Sequence, residues 1–162
     1  MAKLYTVLAA MALLVLIAAG PAIAGTFPPY PPGHCGAGNC YGTSEDDTMI
    51  GTSADEGLHG LGGDDAIYGM GGNDGLTGDD GNDALYGGLG NDIIEGNKGW
   101  DLLKGARGTD DLHGGYGSDA LRGGGGLDEF TCGGGTDYVY ASAKERNEGH
   151  IADDCEVVIL VA

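Results

Sequence analysis

The chain has 162 residues, including 35 Gly, and its 25 acidic side chains outnumber 7 basic ones, for a formal net charge of -18. Only 2 Phe and 1 Trp are present. This composition disfavours a conventional domain with a large hydrophobic core and is typical of a disordered or a repetitive chain. The charge argues against nucleic acid and anionic membrane surfaces as partners, because both are themselves negative. Cations are the expected partners.

The first segment in chain order has the pattern of a secretory signal peptide. Lys3 precedes an apolar run from Val7 to Ala19, and Ala22-Ile23-Ala24 forms a small-x-small cleavage site. The apolar run is shorter than the roughly 20 residues that span a bilayer, so we expect no membrane insertion. Residues 1–24 are therefore predicted to be cleaved, which makes the protein secreted and extracellular.

Residues 25–41 form a predicted linker rich in Pro and Gly that also carries two of the four cysteines. The cysteines are Cys35, Cys40, Cys132 and Cys155. An even number in an oxidising compartment predicts disulfide bonds. Three connectivities are possible, and pairing each cysteine with its neighbour in sequence is the most economical of them.

From Gly42 to Tyr140 the chain repeats with a period of nine residues, without a slip, through eleven units. The sixth position is acidic in every unit: Asp47, Glu56, Asp65, Asp74, Asp83, Asp92, Asp101, Asp110, Asp119, Asp128 and Asp137. The eighth position is apolar in every unit: Met49, Leu58, Ile67, Leu76, Leu85, Ile94, Leu103, Leu112, Leu121, Phe130 and Val139. A period this regular predicts a solenoid of stacked repeats.

Each unit is expected to contain a six-residue turn followed by a three-residue strand. Gly at the first and fourth positions permits the tight turn, and the apolar eighth residue points into a narrow interior. Two units make one coil of a flattened right-handed solenoid, so equivalent turns eighteen residues apart stack at about 4.8 Å. The predicted fold is all-β, a right-handed parallel β-roll of about eleven nonapeptide units.

The unit resembles the RTX nonapeptide GGxGxDxUx of hemolysin-type calcium-binding β-rolls. The resemblance implies that Ca²⁺ ions lie between successive turns, held by the sixth-position carboxylates and by main-chain carbonyl groups. One edge would stack Asp47, Asp65, Asp83, Asp101, Asp119 and Asp137, and the other Glu56, Asp74, Asp92, Asp110 and Asp128. Nine gaps between neighbouring members of these columns set an upper limit of nine ions.

Some units depart from the motif. Glu45 and Ala54 replace the fourth-position Gly in the first two units, which are expected to form a degenerate cap. The second-position Gly is present only as Gly88, Gly115, Gly124 and Gly133. A site of carboxylates and carbonyls is a hard oxygen cage that suits calcium better than the strict octahedron of magnesium. Because the repeats are so acidic, we expect a disordered chain without calcium and a rigid one with it.

Residues 141–162 are predicted to cap the open end of the solenoid. The segment from Glu156 to Val161 has the pattern of a strand. A bridge between Cys132 and Cys155 would hold that strand on the last coil.

An enzyme is not expected, because the chain contains neither an HExxH zinc motif nor a GxSxG nucleophile motif. The alternative to a pure calcium binder is a calcium-stiffened adhesin that binds a cell surface or a polysaccharide. Tyr68, Tyr86 and Tyr140 share the ninth position of alternate units, so they should line one outer face. A monomer is expected.

Overall fold

A computed structural model describes residues 35–161 of the protein. The predicted signal peptide and the Pro-rich part of the predicted linker lie outside the described residues. Within residues 35–161, no helix is both long and apolar enough to cross a membrane.

The described chain contains thirteen strands and one helix assigned to the C-terminal segment. The strands are β1 Gly38–Tyr41, β2 Thr48–Ile50, β3 Glu56–Gly62, β4 Ala66–Gly71, β5 Gly75–Asp80, β6 Ala84–Leu89, β7 Ile93–Gly99, β8 Leu102–Arg107, β9 Asp111–Gly117, β10 Ala120–Gly125, β11 Glu129–Gly135, β12 Tyr138–Ser142 and β13 Val157–Val161. The helix, α1, is Ala143–Glu148.

The strands form two parallel sheets between which the chain alternates. One sheet has the order β1-β3-β5-β7-β9-β11 and is called here the odd sheet. The other has the order β13-β12-β10-β8-β6-β4-β2 and is called the even sheet. In the repeats each residue pairs with the residue eighteen positions later, as Leu58 does with Leu76. The all-β solenoid class is confirmed, with about seven turns because β1 and β13 add to the repeats.

The core is a stack of single apolar side chains. All eleven eighth-position residues are no more than 3% exposed. Cys40, which pairs in register with Leu58, continues this column into β1. Hydrogen bonds between neighbouring coils satisfy the backbone groups of both sheets. Because the space between the two sheets is narrow, one apolar residue per unit is enough to fill it.

From β3 to β11 the strands are longer than the three residues expected for each unit. They continue through the first three positions of the next unit, where Leu61 pairs with Asp79 and Gly62 with Asp80. This continuation requires a positive φ at the second position, which glycine adopts freely. Five other residues adopt it there: Leu61, Met70, Asp79, Asn97 and Ala106, with φ between 76° and 88°.

Replacing Met70 by Gly should therefore stabilise the protein. Met70 has φ 76° and a side chain that is 56% exposed. An L-residue in the left-handed region costs about 1–2 kcal/mol, part of which the flexibility of Gly in the unfolded chain offsets. We expect Met70→Gly to raise the free energy of unfolding in calcium by about 1 kcal/mol, measured by urea denaturation.

Met70→Ala is the matched control, since it removes the same side chain and keeps the unfavourable φ. An alanine variant as stable as the glycine variant would contradict this explanation.

Both ends of the solenoid carry a disulfide bond. Cys35 is bonded to Cys40 and Cys132 to Cys155, so each cysteine pairs with its neighbour in sequence. Beyond the second bridge, β13 extends the even sheet by pairing with β12. At the end of the odd sheet, Phe130 exchanges backbone hydrogen bonds with the segment around Ile151.

Candidate metal centre

The sixth-position carboxylates form two buried columns, one at each edge of the solenoid. From Asp65 onward, each carboxylate accepts a hydrogen bond from the backbone N–H of the sixth-position residue one coil earlier. Asp101 Oδ1, for example, accepts from the N–H of Asp83 at 2.8 Å, and Asp119 Oδ1 accepts from Asp101 at 2.9 Å. The columns therefore have a direction, because every coil depends on a carboxylate supplied by the next coil along the chain.

The second oxygen of these side chains has no such partner. In nine units Oδ2 is buried and accepts no hydrogen bond from any residue in 35–161: Asp65, Asp74, Asp83, Asp92, Asp101, Asp110, Asp119, Asp128 and Asp137. These side chains are no more than 3% exposed. Buried carboxylate oxygens are costly unless they are hydrogen-bonded, paired or bound to a metal, so nine such oxygens in two columns have the character of cation ligands.

Main-chain oxygens lie beside these unpartnered atoms. A β-carbon added to Gly96 would lie 2.5 Å from Asp101 Oδ2 and 2.6 Å from the carbonyl oxygen of Gly114. The same arrangement surrounds Gly69, with Asp74 Oδ2 at 2.5 Å. Only glycine leaves room for this approach, which brings a carboxylate and a carbonyl of different coils together. Both are hard oxygen donors of the kind that Ca²⁺ takes.

The first two units differ from the other nine. Thr43 donates its backbone N–H and its hydroxyl group to Asp47 Oδ2, at 2.6 and 2.9 Å. Thr52 donates the same two groups to the carboxylate of Glu56. The structure therefore places Asp47 and Glu56 in the columns but gives their second oxygens protein partners. These units close the N-terminal end of the columns.

Two glutamates outside the repeats close the C-terminal end. Glu145 of α1 accepts the backbone N–H of Asp128 at 3.1 Å, and Glu156 accepts that of Asp137 at 3.1 Å. Glu145 also accepts from Ser142 in a capping box that begins α1. Sequence reasoning missed both residues, because they lie seventeen and nineteen positions after their partners instead of eighteen.

Two outer columns of side chains, one at each edge of the solenoid, were also missed. Fifth-position Asp and Asn side chains accept the backbone N–H of the fifth residue one coil later, as Asn73 Oδ1 does from Asn91 at 2.8 Å. At the other edge, the backbone N–H of Trp100 donates to Asn82, but the side chain of Trp100 cannot accept a hydrogen bond and is 73% exposed. These columns fix the turns that surround the carboxylates.

A cluster of Cys132, Asp154 and Cys155 lies near the last coil but has a structural role. The two cysteines are bonded to each other. Asp154 accepts the backbone N–H groups of Cys132 and Gly133 at 3.3 and 2.9 Å. The cluster therefore holds the terminal segment on the solenoid.

Burial raises the pKa of all nine carboxyl groups that have an unpartnered oxygen. The pKa rises to about 7 for Asp74, Asp101 and Asp128, and to about 6 for Asp83, Asp92 and Asp119. Desolvation is the main cause, the hydrogen bond from the previous coil opposes it, and negative neighbours in most of these cases add to it. The pKa values of Asp65, Asp110 and Asp137 are raised as well.

These shifts predict that acid stabilises the calcium-free fold. Because the pKa of each group is higher in the folded chain than its ordinary 3.8, the folded state binds more protons. Stability is then greatest at low pH and falls as pH rises from about 4 to about 7. In buffer freed of calcium on a chelating resin, we expect the β-sheet circular dichroism to grow as pH falls from about 7 to about 5. A calcium-free chain equally unfolded at both pH values would contradict this.

The fold and the two columns define a class of protein, the parallel β-solenoid with carboxylates stacked between its coils. A sequence profile of the RTX calcium-binding nonapeptide repeat matches the chain four times, over residues 41–76, 50–83, 77–112 and 113–143. The chain belongs to this family of calcium-binding repeat proteins. No curated protein and no solved structure matches it significantly.

Proposed function

We propose that this is a secreted calcium-binding protein whose β-roll folds as several Ca²⁺ ions bind between its stacked turns. The main support for this proposal is the set of nine buried carboxylate oxygens that accept no hydrogen bond. None of these nine side chains forms an ion pair with a basic residue in the described part of the chain. Cations between the coils would neutralise them, and the adjacent carbonyl groups favour calcium over softer metals.

Each proposed site lies between two neighbouring carboxylates of one column that both keep an unpartnered Oδ2. The column from Asp65 to Asp137 contains four such gaps, and the column from Asp74 to Asp128 contains three. Two further gaps involve Asp47 and Glu56, whose second oxygens are bound to threonines. We therefore propose seven principal sites within the upper limit of nine.

The domain organisation proposed with this function has four parts. Residues 1–24 are the signal peptide, 25–41 the linker with the first disulfide, 42–140 the β-roll and 141–162 the cap. Secretion agrees with the two disulfides, and extracellular calcium modules bind in the range of about 0.1–1 mM.

Calorimetric titration of the protein with calcium, followed by circular dichroism, tests the proposal. We expect about seven ions per chain and a gain of β-sheet signal over the same range of calcium. A stoichiometry near zero would overturn it, and magnesium provides the control.

A further inference from the structure

The outer face of the even sheet carries a basic groove of about 450 Å³. Its lining includes the side chains of Lys104, Arg107, Arg122, Tyr140 and Val161. The other lining residues have little or no side chain, namely Ala106, Gly124 and Gly125. A groove of this volume and shape can accommodate part of an extended ligand.

The three cations of the groove have no counter-charge. They form no ion pair with any carboxylate in residues 35–161. Lys104 and Arg122 occupy paired positions on neighbouring strands, where like charges repel. This is half of the six basic residues that the described chain contains, gathered in one place in an acidic protein. A bound anion would relieve the repulsion.

The surrounding face is free of acidic residues at the positions that point outward. In the even sheet the seventh and ninth positions of the repeats include no Asp or Glu, whereas those of the odd sheet include Glu95, Asp111 and Glu129. The face is therefore neutral or positive along its length, despite the net charge of the chain.

Tyrosines extend the groove along the solenoid axis. Tyr68, Tyr86, Lys104, Arg122 and Tyr140 are successive partners in register on β4, β6, β8, β10 and β12. Tyr68 and Tyr86 stack with ring centroids 4.9 Å apart. At about 4.8 Å per strand the column is about 19 Å long. This length suits an elongated chain better than a single small anion.

We propose that this column binds an acidic polysaccharide whose sugars carry carboxylate groups. The guanidinium group of Arg122 matches a carboxylate with two parallel hydrogen bonds, Lys104 adds a second charge, and the tyrosine rings offer apolar surface and hydroxyl groups to sugars. A polymer with sparse charge is repelled less by the acidic edges than nucleic acid would be. The inference deepens the adhesin alternative and rests on the calcium-folded roll.

The test uses the full secreted protein in calcium and hyaluronan fragments as the probe, with binding measured by calorimetry. We expect binding that weakens with salt and falls at least about tenfold in the double variant Lys104→Gln/Arg122→Gln. The matched control is Lys144→Gln/Arg146→Gln, which removes two positive charges from exposed positions of α1. Calcium titration and circular dichroism of each variant separate loss of the groove from loss of the fold.

Four outcomes would overturn the inference. Three are equal binding of neutral dextran, equal loss of binding in the two double variants, and retention of a sulfated polymer in the absence of hyaluronan binding. A calcium-dependent dimer that dissociates in the Lys104→Gln/Arg122→Gln variant would also overturn it, because the acidic edge of a second copy would then be the occupant.

Discussion

Removal of calcium at neutral pH is expected to unfold the β-roll. Without cations, the folded chain would bury nine ionised carboxylates, each with an unpartnered oxygen. Desolvation of each buried charge lowers the stability of the folded state by several kcal/mol. The apolar core, with one side chain per unit, is too small to offset that cost. We expect loss of most of the β-sheet circular dichroism and a roughly twofold increase in the radius of gyration, measured by small-angle scattering.

Restoring calcium should reverse the change, whereas magnesium at the same concentration should not, because its octahedral geometry and firm hydration suit a protein cage of carboxylates poorly. A chain that keeps its circular dichroism and its radius of gyration in chelator at neutral pH would contradict the proposed mechanism.

Replacing Asp101 by Asn is expected to have opposite effects with and without calcium. The asparagine Oδ1 can still accept the N–H of Asp83, while the charge of the unpartnered oxygen is lost. In calcium, weakened sites on both sides of the residue should lower the free energy of unfolding by about 2–5 kcal/mol. Without calcium, loss of the buried charge should raise stability by about 1–3 kcal/mol. The measurement is urea denaturation in calcium. Without calcium it is the pH midpoint of the acid-induced gain of β-sheet circular dichroism, which should lie at higher pH in the variant.

Asp153→Asn is the matched control, because it removes the same charge from an exposed position. We expect it to change stability by less than about 0.5 kcal/mol in either condition. If Asp101→Asn destabilised the protein equally with and without calcium, its carboxylate would be a structural hydrogen-bond acceptor and not a metal ligand.

The parts of the fold that follow the nine-residue period could be predicted from the sequence. The eighth-position column is the core, and the sixth-position residues stack eighteen apart as expected. These predictions succeed because the same contact is made again in every coil, so the pattern accumulates over many units.

The parts that break the period could not be predicted. Glu145 and Glu156 complete the columns from a segment whose spacing differs by one residue in opposite directions. Thr43 and Thr52 satisfy carboxylates through a local contact that occurs only at the first coils. These contacts of the glutamates and threonines are each made once, so a repeating sequence pattern does not reveal them. The positive φ at Met70 does recur at the second position of other units, but the residue type there varies, so the sequence does not reveal it either.

The alternation of units between two sheets gives the sequence two different periods. Every unit contributes the same kind of residue to the core, so gain or loss of nine residues leaves the interior unchanged. The outer faces alternate, so the same event would move every later unit to the opposite sheet and, if it fell between Tyr86 and Lys104, would separate these partners. Evolution or design can therefore lengthen this protein freely only by whole coils of eighteen residues, if the surface is to keep its pattern.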